Sequence, residues 1–321
     1  MAEPVLWVAA FRALYLQALH PRVMRGTWQN TAFADPEQAW GRFLRTSEYV
    51  RVRTYGSLAE VDRAGRRVRK LHATLRGTDE DGSEYRLDEP ELLLWVHCAE
   101  IGSYADIARR SGLPFSRAEL DTFVDEQRRS ASLVGLDPAG VPASMTALDE
   151  YFAAMRPRLR ATPEARQAVA RSVNPVALPA PNLPLKLLTP VVSGLGFATL
   201  PRWARRLFGI PASPLTDLTA TASLRALHEA IARGPGDRLV LPATRAARDR
   251  AWAIQRGQAY RASTKSIGVV GRRVPMAGST VSPSLSPERR PDAITGPVIP
   301  WLGMGSTPAG RSRPGPTSHS S

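Results

Sequence analysis

The chain has 321 residues, of which 43% are apolar, so it can bury the core of one large domain or of two small ones. Its formal net charge of +14 attracts anionic partners in general, although only three of its 43 basic side chains are lysines, and arginine-rich composition alone produces such a charge. The single cysteine, Cys98, excludes an internal disulfide and a thiolate metal cluster within one chain.

The N-terminal segment predicts a protein that is not secreted. It opens with an acidic residue and lacks both the basic region and the small-residue cleavage site of a signal peptide. The apolar stretch at residues 183–201 is interrupted by Lys186 and Pro190 and is too short to span a membrane. We therefore expect a cytoplasmic protein. Peripheral contact with acidic membrane stays open, because the arginine-rich residues 243–261 could face anionic lipid.

Helical periodicity dominates the first 262 residues. The first predicted helix is apolar nearly all round and ends at His20-Pro21, and the second begins at Asp35-Pro36, an N-cap followed by proline. In the third, apolar residues recur at steps of three and four up to a closing Gly77, which puts His72 on the inward stripe. Nine helices are predicted, at residues 5–19, 36–53, 58–76, 90–111, 116–133, 144–159, 162–173, 215–233 and 245–260.

Few residues favour strands, so the predicted fold class is all-α, with a single multi-helix domain at residues 1–262. The segment "TDEDGSEYRL" is the exception, since its Asp-Gly pair and alternation predict a hairpin or turn. From Ser263 onward nearly half of the residues are Pro, Ser or Gly. Such a composition cannot bury a core, and it predicts a disordered basic tail at residues 263–321.

His72 is the first candidate for chemistry. A neutral imidazole in an apolar wall is a suitable axial ligand for haem iron, because it supplies one nitrogen and the wall excludes competing water. A core histidine that is hydrogen-bonded to a backbone carbonyl would produce the same pattern, and the spacing alone does not separate the two interpretations.

A second candidate is a metal site without porphyrin. His97 and Glu100 are three residues apart on one predicted helical face, and His20 lies at a buried helix end. Three histidines and a carboxylate could hold iron or zinc. The alternative is that His97 and Glu100 form a structural hydrogen-bonded pair.

A third constellation lies in "GRFLRTSEYV", where Arg42, Arg45, Thr46 and Tyr49 project from adjacent helical turns. Arginine turned toward a core needs an acidic partner or an anionic ligand to offset desolvation. A solvated helix face is the alternative. No Gly-x-Ser-x-Gly elbow, dinucleotide fingerprint or P-loop is present in the sequence, so those enzyme classes have no support.

The motifs, taken in order, resemble one family. "QALHPRVMRGTWQNTAF", "RFLRTSEYV", "VRKLHATLRG", "EYRLDEPELLLWVHCA", "VGLDPAGVP" and "YFAAM" resemble the MpaB-type oxygenases, which include the latex-clearing rubber oxygenases. The likeness covers about residues 10–260. It implies a globin-reminiscent helical bundle that holds haem b, with His72 as the proximal iron ligand. It also implies that Arg42, Arg45 and Thr46 lie near the haem and take part in cofactor binding and catalysis.

The resemblance implies a haem-dependent oxygenase or related oxidoreductase that uses dioxygen. We expect an apolar small molecule as its substrate and no nucleic-acid partner. One departure concerns the glutamate that rubber oxygenases carry about twenty residues before the threonine, since "PRVMRGTWQN" contains no acid. Cleavage of polyisoprene by that base is therefore not expected. A haem carrier or sensor without enzyme activity is the alternative, and the sequence does not indicate an oligomeric state.

Overall fold

The computed structural model describes residues 4–31, 36–173, 183–211 and 213–234, together with a few helical positions between 245 and 253. The first four ranges form a helical body with one two-stranded hairpin, so the all-α prediction is confirmed. Its helices are α1 (Trp7–Gln17), α2 (Pro21–Gln29), α3 (Pro36–Tyr55), α4 (Leu58–Thr74), α5 (Pro90–Arg110), α6 (Arg117–Ser132), α7 (Met145–Met155), α8 (Pro163–Val173), α9 (Leu183–Ala198), α10 (Arg202–Leu207) and α11 (Pro214–Arg233). The antiparallel strands are β1 (Arg76–Thr78) and β2 (Glu84–Arg86).

Helix α1 lies at the centre of the core, between α5 and α9. Its residues are apolar on nearly every side, and they are buried together with Trp95 of α5 and Leu200 after α9. Arg12 is buried in the same helix, where its guanidinium donates to the Thr199 carbonyl at 3.2 Å and to Ser103 Oγ at 2.8 Å. Asp106 lies 3.3 Å away, so one cation joins three segments of the core.

Local capping explains where several helices begin. Ser57 and Glu60 form a capping box at the start of α4, in which the serine hydroxyl accepts from the Glu60 amide while the carboxylate accepts from the Ser57 amide. Ser116 and Glu119 form a second capping box at the start of α6. Both starts agree with the sequence prediction.

The His20-Pro21 step ends α1, as expected, but it also begins a helix that was not predicted. Nδ1 of His20 accepts from the Val23 amide at 3.5 Å, and Pro21 is the first residue of α2. Proline is favoured there because its missing N–H would have no partner in the first helical turn. Helices α9 and α10 were not predicted either.

The prediction for Gly77 was wrong. Helix α4 ends at Thr74, and Gly77 lies in β1 opposite Tyr85. A Cβ atom at Gly77 would lie 2.3 Å from the Tyr85 ring, so glycine is needed there for a close approach between strands and not to end a helix. The predicted hairpin itself is confirmed.

The predicted tail at residues 263–321 lies outside the described residues, and so does most of the predicted helix at 245–260. The boundary at residue 262 therefore stays a prediction, as does membrane contact through residues 243–261. Among the described helices, none combines the length and apolarity that crossing a membrane requires.

Candidate functional site

Apart from His20 at the start of α2, the sequence-predicted site residues lie on three neighbouring helices. Arg42, Tyr49 and Arg53 are spaced by seven and four positions along α3, which places them on one face of the helix. Helix α4 packs against α3, and α5 reaches α3 through an ion pair. We call the following residues the polar cluster: Arg42, Tyr49 and Arg53 of α3, His72 of α4, and His97 and Glu100 of α5.

His72 lies on the inward stripe of α4, as predicted. Within that stripe Gly65 is buried and Val68 and His72 are half-buried, but Leu58 is 90% exposed, so the stripe does not reach the first turn. Nδ1 of His72 is buried and has no hydrogen-bond partner among the described residues. The interpretation of His72 as a histidine satisfied by a backbone carbonyl is therefore not supported at Nδ1.

The electrostatic surroundings keep His72 neutral. Burial lowers the pKa of His72, the charge of Arg42 lowers it further, and the carboxylate of Asp88 opposes both. A lowered pKa leaves the imidazole unprotonated at neutral pH, and the neutral ring is the form that can donate a lone pair to a metal.

Arg42 is a half-buried cation close to that ring. Its guanidinium donates to the hydroxyls of Thr31 and Thr27 at the end of α2. Burial and the neighbouring charge of Arg45 lower the pKa of Arg42. No carboxylate of the described residues lies within ion-pair distance of it, so the positive charge is desolvated without an anion to offset the cost.

Arg45 and Thr46, two further predicted site residues of α3, are both exposed. Arg45 is exposed, although its charge reaches Arg42. Thr46 is also exposed, and its hydroxyl donates to the Arg42 carbonyl of the same helix at 3.1 Å. His72, Arg42 and Arg45 are thus brought together, whereas Thr46 contributes only a local bond. The catalytic and cofactor-binding roles of these residues stay predictions.

Arg53 and Glu100 form a two-point ion pair across α3 and α5. Nη1 to Oε2 measures 3.2 Å and Nη2 to Oε1 measures 2.7 Å. The side chains are only 6% and 16% exposed. This planar geometry is the one in which arginine binds a carboxylate most strongly.

Two further buried polar side chains border that pair. Burial lowers the pKa of His97 to about 4, with Glu100 opposing the shift and Arg53 adding to it, so the ring is neutral. The Tyr49 hydroxyl is buried without a hydrogen-bond partner among the described residues, and the Arg53 guanidinium lies 5.8 Å from the centre of its ring. Burial raises the pKa of Tyr49, so the hydroxyl keeps its proton.

The metal site without porphyrin is not supported by these contacts. Arg53 engages both oxygens of Glu100, and His20 caps α2 with Nδ1 while Nε2 lies 3.8 Å from Glu91. Within the part of the chain that the structure describes, no three His, Cys, Asp or Glu side chains converge to hold a metal ion.

The chemistry of His72 and Arg42 fits a haem. A neutral imidazole with an unpartnered buried nitrogen is a suitable iron ligand, and a half-buried arginine with no acidic partner among the described residues is a suitable neighbour for a propionate. Leu44 and Leu71, which lie next to the proposed ligands in sequence, are 44% and 54% exposed and supply apolar surface.

Sequence reasoning missed the partner of Glu100. It paired Glu100 with His97, three residues away, whereas Arg53 lies 47 residues away and takes both oxygens. The sequence placed Arg53 on the same face of α3 as Arg42, but this spacing did not indicate that Arg53 would pair with Glu100.

A family model described as "ER-bound oxygenase mpaB/B'/Rubber oxygenase, catalytic domain" matches residues 1–233 of the chain. The match covers α1 to α11 and contains the whole polar cluster. Comparisons with curated proteins and with solved structures gave no match.

Proposed function

We propose a function from one established premise, which is that the chain belongs to the ER-bound oxygenase mpaB/B'/rubber oxygenase family. The proposal is that the protein binds haem b through His72 and acts as an oxygenase, or a related oxidoreductase, on an apolar small molecule. The family supports oxygenase chemistry in general, and the remaining details are inferred from the residues of this chain.

One observation carries the proposal: the buried, unpartnered Nδ1 of His72 lies on a neutral ring close to the half-buried cation of Arg42. Leaving the His72 nitrogen buried without a partner costs free energy, roughly 1–3 kcal/mol. Arg42 is hydrogen-bonded to two hydroxyls, but it has no anion among the described residues to offset the desolvation of its charge. A ligand that accepts a nitrogen lone pair and carries carboxylates would offset both costs at once. Haem has both properties.

Each residue then has a defined task. His72 would hold the iron from one side, and Arg42 with Arg45 would neutralise the propionates. The exposed side chains of Leu44 and Leu71 would contact apolar parts of the cofactor or the substrate. Bound haem would supply the redox-active iron with an open coordination position that oxygenase chemistry requires.

The proposed substrate class rests on the missing family glutamate and on the exposed apolar side chains near the site. The resemblance implies a glutamate about twenty residues before Thr46, and the corresponding end of α2 presents the hydroxyls of Thr27 and Thr31 to Arg42. We therefore propose an apolar small molecule and not polyisoprene as the substrate.

The proposal is tested by the change His72→Ala in the full chain. Wild-type protein reconstituted with haem is expected to show a Soret band and a pyridine haemochrome at one haem per chain, and the variant is expected to lose both. His228→Ala is the matched control, because that ring hydrogen-bonds to the Ser111 carbonyl at 3.0 Å, outside the polar cluster. A wild type without a Soret band, or an alanine variant with an undiminished one, would overturn the proposal.

A haem carrier or sensor is the second candidate, and the state of His97 is the observation that favours it. That ring is neutral and buried, so it could supply a second axial ligand and close the iron to dioxygen. Carbon monoxide added to the ferrous protein separates the two functions. Rapid binding of the gas supports the oxygenase, and a six-coordinate spectrum that opens only in His97→Leu supports the carrier.

A further inference from the structure

A cleft of about 530 Å³ lies away from the polar cluster, between the second half of α5 and helices α7, α10 and α11. Its described lining includes six arginines and three aspartates, so the walls carry a net charge of +3. A cavity of this volume has the size of a small-molecule site. The question is whether its charges only hold the fold together or are also available to a ligand.

Some of these arginines have structural tasks. Arg110 donates to the Thr199 carbonyl at 3.0 Å and to the Thr221 hydroxyl at 2.8 Å, and Arg202 pairs with Asp217 at 2.5 Å. Such groups are satisfied by the protein itself. They make the inner wall of the cleft positive without needing an anion.

Arg156 and Arg225 differ from them. Both line the cleft and are exposed, and neither has a carboxylate of the described residues within ion-pair distance. Arg156 lies over the Trp203 ring with its guanidinium carbon 5.5 Å from the ring centre. Arg225 makes a single long bond to the Arg110 carbonyl, at 3.4 Å. Two cations that enter the same cleft are thus available to an anion.

The same cleft has an aromatic wall. Phe152 and Trp203 lie with their ring centres 6.4 Å apart, and both line the cavity next to Arg156. Flat apolar groups pack favourably against such rings. Cations beside an aromatic wall favour a ligand that is charged at one end and flat at the other.

We propose that this cleft binds a small aromatic phosphate monoester, with the phosphate between Arg156 and Arg225 and the ring against Phe152 and Trp203. A phosphate monoester carries a charge near −2 at neutral pH, which matches two unpaired arginines. Guanidinium groups bind phosphate oxygens through charge-assisted hydrogen bonds. This binding site is separate from the His72 site, and it does not depend on haem binding.

The experiment measures binding of phenyl phosphate to the full chain by titration calorimetry, with phenol and inorganic phosphate as comparison probes. Phenyl phosphate is expected to bind more tightly than either probe, and its affinity is expected to fall as salt increases. Arg156→Gln and Arg225→Gln are each expected to weaken binding about tenfold, the effect of losing one charge-assisted contact.

Two matched controls remove a similar arginine nearby. Arg158→Gln changes the same short helical turn but affects a side chain that pairs with Glu91 at 2.7 Å. Arg233→Gln changes the end of α11, where the arginine pairs with Glu229 at 3.0 Å. Both controls should bind like wild type. The proposal would be overturned if phenyl phosphate did not bind at millimolar concentration, or if the control variants lost as much affinity as the cleft variants. Equal affinity for inorganic phosphate would overturn the proposed contact of the ligand ring with Phe152 and Trp203.

Discussion

The buried ion pair between Arg53 and Glu100 predicts a large loss of stability in Glu100→Gln. The substitution keeps the shape of the side chain but removes the negative charge, so the Arg53 guanidinium is left 94% buried, from its 6% exposure, without a counter-ion. Removing one partner of a buried pair costs about 3–5 kcal/mol, and because glutamine can still accept one hydrogen bond, we expect the lower end, about 3 kcal/mol.

The assay is equilibrium unfolding in urea with tryptophan fluorescence, to which the buried Trp95 contributes, as the signal. The midpoint should fall without a change in slope. Glu48→Gln is the control, because Glu48 also pairs with an arginine of α3, Arg51, but is 57% exposed. The control should lose less than about 1 kcal/mol. If Glu100→Gln were as stable as that control, the ion pair would contribute no more than a surface pair, and this account of how α3 is held to α5 would be wrong.

Two other predictions concern single positions. Gly77→Ala should lower the free energy of unfolding by about 1–3 kcal/mol, because its Cβ would overlap the Tyr85 ring. Gly140→Ala is the control and should change that free energy by less than about 0.5 kcal/mol, because no atom lies within 4 Å of the added carbon. Equal midpoints of the two variants in thermal unfolding would contradict the prediction. For His97 the folded pKa of about 4 lies below the unfolded value of 6.5, so its contribution to stability is complete above pH 6.5 and decreases as the pH falls toward 4. Between those pH values the free energy of unfolding of the His97→Gln variant should therefore change by about 3 kcal/mol less than that of the wild type. An NMR titration midpoint of His97 near 6.5 would contradict the prediction.

Sequence reasoning succeeded where local signals decide the structure. The predicted starts of α4 and α6 agree with the structure, in which a serine three residues before a glutamate caps each of these helices. The position of His72 on an inward face also followed from spacing alone. In each case the residues that determine the feature lie within one or two helical turns of each other.

It failed where the determining residue is distant in sequence. Glu100 pairs with an arginine 47 positions earlier, and nothing near either residue indicates the other. The cleft could not be predicted for the same reason, since its lining comes from segments as far apart as Arg12 and Arg225. Helix α2 was missed differently, because His20-Pro21 was interpreted only as the end of a helix and not also as the start of the next.

The contact of Arg12 with the Thr199 carbonyl has a consequence for synthesis of the chain. The two residues are 187 positions apart, so the apolar helix α1 leaves the ribosome long before the segment that covers one of its sides. At about 5–20 residues per second, α1 stays without that partner for roughly 10–40 seconds. During this interval its exposed apolar surface is a ready target for chaperones and for aggregation with other nascent chains. Production in cells should accordingly benefit from a lower rate of transcription, which lowers the number of incomplete chains present together.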